Sequence, residues 1–588
     1  MSGAGSLRRD PGLAVLVAAL AILLAILFSH GERLSSDGID HYVYLRSLAV
    51  DHDLDLANDY ALVSPRGESD APETPLGRTG NAHPVGPALV WAPFYALVDL
   101  VACFSGASRD GLGALHLNAV AVASLLYGWL GLVLLYLTAQ REASRSAALL
   151  ATLGIGFGTF LYFYLSFAPT MAHAPAFGAA ALFVWLWLGP LPNGPRRAAW
   201  LGAACGLLAL LRWANVLIAL LPLVEALPRL RRRGQWRRLL EEAAAFGAAA
   251  LLVFSPQMIV WWRLYGSPLT IPQGSAFLAS APAWDGVLFS PRHGLFSWSP
   301  VLYLGAAGLL AWLRRAPWRF AATVVFALVL TRVNAGVADW WAGAAFGGRR
   351  FDALLPLLGI GLALALDTLA GFVRRRPHAP AALLLGGIVL WNVLLARHYR
   401  TGAWDYAGPV AFEDMGRSVV GQIDRAVGSP FSLPGSLIEW WRSGRPLADY
   451  ESLYMQRPYN RWTIRMGDDD RIFLEDGWSE PRDADGTNTR RLRAGSAGLV
   501  APLHGDRAYR LGARVRLQGA SSGRLRVLMN DKVLGSWDLT DAFADYEVTV
   551  PLEAVRPGRN ALRFRRPGEG PWEGEIAVAG VWAEPAQP

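Results

Sequence analysis

The stretch of this 588-residue chain densest in reactive groups begins Ser36-Asp37-Gly38-Ile39-Asp40-His41-Tyr42-Val43-Tyr44-Leu45-Arg46-Ser47 and continues through Asp51, Asp53, Asp55 and Asp59. Clustered carboxylates can do acid–base work or can simply cap short helices and close turns, and Asp51 to Asp59 fit the second role. Asp37 differs because it directly follows an apolar segment. A carboxylate beside apolar surface is desolvated, which suits a general base. Asp40 and His41 offer an alternative base, or a contact to an acceptor or metal. Farther on, Ser290-Pro291-Arg292-His293-Gly294, Asp339-Trp340-Trp341 and Gly347-Gly348-Arg349-Arg350-Phe351 combine cations, glycines and aromatics. The arginine fork matches a phosphate, and glycine lets backbone N–H groups approach an anion. Trp340 and Trp341 read equally well as interfacial anchors.

These groups need elements to hold them, and the first 400 or so residues supply apolar windows of about 17 residues or longer, the length that spans hydrocarbon. The pI near 9.6 comes from short basic clusters between those windows, a pattern of membrane topology rather than of a nucleic-acid face. With Arg8-Arg9 cytoplasmic, the later clusters at Arg141/Arg145, Arg196-Arg197, Arg229 to Arg238, Arg314-Arg315 and Arg374 to Arg376 all fall on one side. Residues 11–28 then read as an uncleaved first helix. The count is about eleven crossings, with the N-terminus cytoplasmic and the C-terminus outside. Three outer loops, 30–112, 265–299 and 335–350, hold the candidate groups. Arg349 and Arg350 are cations on the side where positive charge is disfavoured, so an anion site is expected there. His173, in Pro169-Thr170-Met171-Ala172-His173, lies at an outer helix end and is either packed or a substrate contact. Arg212 and Asn215 fall within a short hairpin over 198–228, facing a substrate path or joining helices.

An Asp shortly after the first transmembrane helix, followed by a Tyr-rich segment, resembles the GT-C membrane glycosyltransferases, which include the protein O-mannosyltransferases and the lipid A aminoarabinose transferase. Asn81-Ala82-His83-Pro84-Val85-Gly86-Pro87 is similar to the His-Pro-Pro-Leu-Gly type segment of the same loop in the mannosyltransferases. Two departures stand out: the usual Asp-Glu pair is Asp37-Gly38, and His83-Pro84 is followed by Val. The resemblance implies an inverting transferase in the cytoplasmic membrane. Its donor would be a polyprenyl-phosphate sugar, a membrane lipid, and its acceptor a glycan, lipid or protein on the outer face. Asp37 would be the base. Arg349, Arg350, Arg292 and His293 would bind the donor phosphate, with Tyr42, His83, His173, Trp340 and Trp341 around the substrates. A divalent metal is left open.

From about residue 471 the pattern changes to the apolar/polar alternation of half-buried strands over 507–517, 523–528, 532–539, 544–550 and 560–565, separated by turn residues such as Asn530-Asp531. This predicts a jelly-roll-like β-sandwich at 471–588, joined by a connector over 401–470 to the transmembrane domain at 1–400. Both cysteines, Cys103 and Cys205, lie in apolar stretches, so the sandwich holds no disulfide. Walker, dinucleotide and zinc-protease motifs are absent from the sequence. A transporter or flippase of a lipid-linked saccharide is the alternative; it would need ionisable groups through the membrane midplane, whereas here they cluster at the outer interface.

Overall fold

The computed structural model describes residues 10–586 apart from 30–33, 35–36, 66, 68, 70–72, 233, 274–281, 372–378, 402–403, 405–406, 428–435, 439, 442–446, 448–460, 469, 471–472, 485, 494, 504, 506, 521, 557 and 569–573. Arg8, Arg9, the cluster at Arg374 to Arg376 and much of the expected connector lie outside the described residues. The chain divides into two compact units, Met1–Val419 and Val420–Pro588.

The main helices of the first unit are α1 (Pro11–Phe28), α2 (Asp37–Arg46), α3 (Leu56–Val63), α4 (Gly86–Ser105), α5 (Ala114–Ala139), α6 (Arg145–Gly158), α7 (His173–Trp187), α8 (Pro195–Leu211), α9 (Leu220–Leu230), α10 (Trp236–Tyr265), α11 (Pro317–Ala335), α12 (Leu355–Gly371) and α13 (Ala379–Arg400). Local signals start them. Asp10 caps α1 by accepting from the Gly12 N–H at 2.9 Å, and Pro11 occupies the first turn, where a missing N–H leaves no gap in the ladder. The same carboxylate accepts from the Tyr136 hydroxyl at 2.8 Å, fastening α1 to α5. Among the described residues, eight helices are long and apolar enough to cross a membrane, and α6 and α7 are shorter apolar ones. The unit is a multi-pass helical membrane domain.

One of the eight, α4, falls inside the stretch 30–112 that reads as a loop. Its composition suffices for a crossing, but its contacts run antiparallel along the first half of α5. The Val90 carbonyl accepts from Tyr127 at 3.0 Å, the Trp91 indole donates to Ser124 at 2.7 Å, and Asp99 meets His116 at 3.4 Å. It therefore packs beside the end of α5 remote from Arg141 and Arg145. Length and hydropathy do not distinguish a full crossing from a helix buried part-way along its neighbour.

The Arg-bearing helix ends are gathered together. Arg319, at the start of α11, meets Glu142 just beyond α5 at 3.4 Å and Glu225 in α9 at 3.6 Å, and Arg229 pairs with Glu242 of α10 at 2.7 Å. The C-terminal ends of α8 and α11 point the other way, toward the start of α2.

The second unit is a β-sandwich. Its strands are β1 (Trp462–Arg465), β2 (Arg482–Ala484), β3 (Thr487–Arg491), β4 (Ser496–Leu503), β5 (Tyr509–Gln518), β6 (Gly523–Met529), β7 (Lys532–Leu539), β8 (Ala544–Val550), β9 (Gly558–Arg565) and β10 (Glu575–Pro585). One sheet runs β2-β3-β10-β5-β8 with β1 also on β10, and the other runs β4-β9-β6-β7. Inward residues such as Leu511, Val515, Leu525, Val527, Leu562, Phe564 and Val578 are fully buried between them. The β6–β7 hairpin closes on Asn530 and Asp531, both at positive φ (51° and 70°), as a two-residue type I′ turn requires. The five alternating segments expected from sequence correspond to β5 through β9. β4 and β10 escaped that reading because Ala497 to Leu503 and Ile576 to Ala579 are buried almost without interruption, which removes the alternation.

Candidate active site

A cavity of about 340 Å³ opens where α2 begins, α8 and α11 end, and the turn Arg349–Leu354 leads into α12. Its chemical groups come from distant parts of the chain: Asp37 and His41 from α2, His83 from the following loop, Arg212 from the end of α8, and Arg349 and Arg350 from the turn. Every one of these arginines has a carboxylate partner. Arg349 Nη1 donates to Asp37 Oδ2 at 2.8 Å. Arg350 Nη2 donates to both carboxylate oxygens of Asp339, at 2.8 and 2.7 Å, and Nη1 to the Asp339 carbonyl at 3.0 Å. Arg212 Nε lies 3.2 Å from the fully buried Asp352.

Asp352 is held by several donors at once. Asn215 Nδ2 and the Ala353 N–H each donate to Oδ1 at 2.8 Å, and His173 Nδ1 lies 3.2 Å from Oδ2. Arg212 Nη1 approaches His173 Nε2 at 3.4 Å. Arginine only donates, so Nε2 accepts and Nδ1 carries the proton toward Asp352, which makes this a neutral, oriented imidazole. His173 thus braces Arg212 from behind and does not itself line the cavity.

Around Asp37 the packing is tight. Gly38 lies so close to Thr170 that a Cβ there would sit 2.5 Å from its Oγ1, which accounts for glycine where the resemblance leads one to expect an acid. Burial alone would raise the Asp37 carboxyl; the Arg349 guanidinium instead holds it well below the usual carboxylate range. His41 Nδ1 lies 3.0 Å from the Pro84 carbonyl and donates to it, and burial pushes the imidazole well below its ordinary value. Asp40 turns aside, accepting from the Tyr60 hydroxyl at 2.5 Å and standing 3.5 Å from His83 Nε2. The loop itself is fixed by Tyr265, Gln257 and Gln273, which bond the backbone of Asn81, Val85 and Ala82.

No family model matches the chain, and no curated protein matches it. Among solved structures, ArnT from Cupriavidus metallidurans in the apo state is similar at 16% identity and a TM-score of 0.41, covering 71% of this chain and 79% of that one. The CBM36-1 domain of a multidomain xylanase from the hindgut metagenome of Trinervitermes trinervoides is similar at 8% identity and a TM-score of 0.18, over 22% of this chain and 98% of that one. The C-terminal CBM6 of LamC from Zobellia galactanivorans is similar at 12% identity and a TM-score of 0.17, over 21% and 98%.

Of the residues singled out in the sequence, Asp37, His41, His83, Arg349 and Arg350 share the cavity, and Arg212 and Asn215 join them. The others lie elsewhere. Tyr42 donates to the Gly111 carbonyl. Arg292 donates to the Ala407 carbonyl at 2.8 Å and lies 3.8 Å over the Trp341 ring. His293 is buried against Trp298, and Trp340 covers Gly286. The carboxylates that partner the arginines, Asp339 and Asp352, were not read as site residues. Asp352 directly follows Arg349-Arg350-Phe351, and an acid that close to a cation pair beside an apolar run was the available signal. Among the described residues no group of three or more His, Cys, Asp or Glu is placed to hold a metal.

Proposed function

We propose that this protein is an inverting glycosyltransferase of the GT-C type that transfers a sugar from a polyprenyl-phosphate donor to an acceptor on the extracytoplasmic side of the cytoplasmic membrane. The observation that carries this reading is the Asp37–Arg349 pair, a buried carboxylate 2.8 Å from a guanidinium, in a cavity that two further arginines line. An acceptor oxygen attacks the anomeric carbon and forms the new C–O bond. The bond to the phosphate oxygen breaks, and the acceptor's proton passes to Asp37. Arg349, Arg350 and Arg212 take the departing phosphate charge. Sidedness is supported by the basic clusters at the helix ends away from the cavity, which the positive-inside rule assigns to the cytoplasm.

The test is release of polyprenyl phosphate by the purified protein, followed by mass spectrometry with a panel of short-chain polyprenyl-phosphate hexoses and pentoses and total envelope glycan as acceptor. Turnover that depends on Asp37 supports the reading. Hydrolysis or transfer unaffected by Asp37→Asn refutes it.

A further inference from the structure

The outer face of the six-stranded sheet carries a second site. Leu511, Ala513, Val581 and Ala583 are buried between the sheets, so Gly512 and Trp582, which alternate with them, face away from the core. These two are cross-strand partners on β5 and β10, flanked in register by Thr463 on β1 and Glu547 on β8. The indole is laid across Gly512. A Cβ at that position would overlap three ring atoms at 2.2 to 2.4 Å, so only glycine admits the ring there.

Beside Trp582 lies a cavity of about 540 Å³. The backbone of Ala579 to Val581 forms part of it, and the Val578/Gly580 irregularity of β10 interrupts the register there. Arg465 and Gly580 pair across β1 and β10, and Gly580 pairs with Arg514, which pairs with Asp545. The β2–β3 hairpin contributes Asp483 and Asn488. Asn488 Nδ2 donates to Asp468 at 2.7 Å, and the Gly486 N–H donates to Asp483 at 3.0 Å, which steadies that side. The lining holds three carboxylates (Asp468, Asp483, Asp545) and two guanidiniums (Arg465, Arg514), a formal sum of −1. A phosphate-rich ligand would require a cationic surplus instead.

We propose that this face binds a neutral saccharide chain, with one pyranose ring stacked on Trp582 and its hydroxyls bonded by Asp545, Arg514, Asp483 and Asn488. A pyranose has an apolar C–H face and a rim of hydroxyls that both donate and accept. Its complement is a flat aromatic ring bordered by planar carboxylate, carboxamide and guanidinium groups, which is the combination found here. The site stands independently of the transferase chemistry in the first unit.

The experiment uses the full-length protein in detergent micelles, without donor, and measures affinity for cellohexaose, xylohexaose and mannohexaose by titration calorimetry. At least one probe is expected to bind, Trp582→Ala to weaken it roughly tenfold or more, and Trp582→Phe to lose less. Asp545→Ala, on the exposed rim, is expected to weaken the same probe without changing the unfolding temperature. If Trp582→Ala lowers the unfolding temperature, Trp582→Phe and Asp545→Ala carry the comparison. Absence of binding by all three probes up to roughly 10 mM, or unchanged affinity in the Trp582 and Asp545 variants, overturns the proposal.

Discussion

Replacing Arg349 with alanine removes the counter-charge from a carboxylate whose side chain is only 14% exposed. Breaking a buried pair from one side costs about 3–5 kcal/mol when the remaining charge stays uncompensated. The carboxyl can avoid that cost by taking up a proton, so the loss depends on pH. In the wild type the folded carboxyl is depressed; its contribution is present above the unfolded value near 3.9 and disappears only as pH falls through the folded value. In Arg349→Ala burial dominates, the folded carboxyl titrates above the unfolded one, and stability is lost as pH rises from about 4 toward the new folded value, by up to about 1.4 kcal/mol per pH unit. Unfolding of the detergent-solubilised protein, followed by intrinsic fluorescence from pH 5 to 8, should show the variant falling progressively below wild type. The double variant Asp37→Asn/Arg349→Ala should abolish that slope, because the Asp37 carboxyl is no longer there to titrate. Parallel pH profiles for wild type and Arg349→Ala would refute the claim that the Arg349 charge governs Asp37.

Three further outcomes are expected. Asp37→Asn should lower kcat/KM for sugar transfer by a factor of about 100 to 10,000, the usual worth of a general base, with donor binding retained. Arg350→Ala should raise the KM for the lipid-phosphate donor more than it lowers kcat, measured by steady-state release of polyprenyl phosphate, because in the proposed reaction it contacts phosphate in both ground and transition states. Gly38→Ala should lower stability by about 1–3 kcal/mol through overpacking against Thr170, and Thr170→Ser, which deletes the methyl but keeps the crowding hydroxyl, should rescue it less than Thr170→Ala.

The sequence made some of this arrangement readable and hid the rest for physical reasons. Periodicity announces β5 through β9 because each has one wet face; β4 and the first half of β10, buried on both, lack the signal. Arg349 and Arg350 stand out because the expected topology puts them on the side where positive charge is disfavoured, an inference that needs no partner. Which anion neutralises Arg349 was not readable, because Asp37 lies 312 positions away and only the folded helices bring them together. The neighbouring Arg292-His293 carries the same local chemistry, yet its guanidinium is bonded to Ala407 and stacked on Trp341. Composition and spacing within a loop do not tell a cation facing a cavity from one that ties the loop to its neighbours.

Each of the three arginines in the cavity already has a carboxylate partner, with which an anionic donor would have to compete. Arg212 is locked to an aspartate that also accepts from Asn215 and the Ala353 N–H and faces His173. Arg350 is held through Nη2 to both oxygens of the Asp339 carboxylate and through Nη1 to its carbonyl. Arg349 donates to Asp37 through Nη1 at 2.8 Å, and the same nitrogen lies 3.8 Å from Met171 Sδ. Three guanidiniums against Asp37, Asp339 and Asp352 leave the site formally neutral, so a phosphate binds by drawing a cation off its carboxylate. In the proposed reaction that cation is Arg349. As it turns to the phosphate, the interaction that keeps Asp37 a weak base is removed and burial raises its proton affinity. Donor binding and activation of the base would then be one event. Phosphate analogues of the donor should therefore shift the acid limb of the unfolding profile in wild type and leave it unmoved in Asp37→Asn; an equal shift in both would separate the two events and refute the coupling.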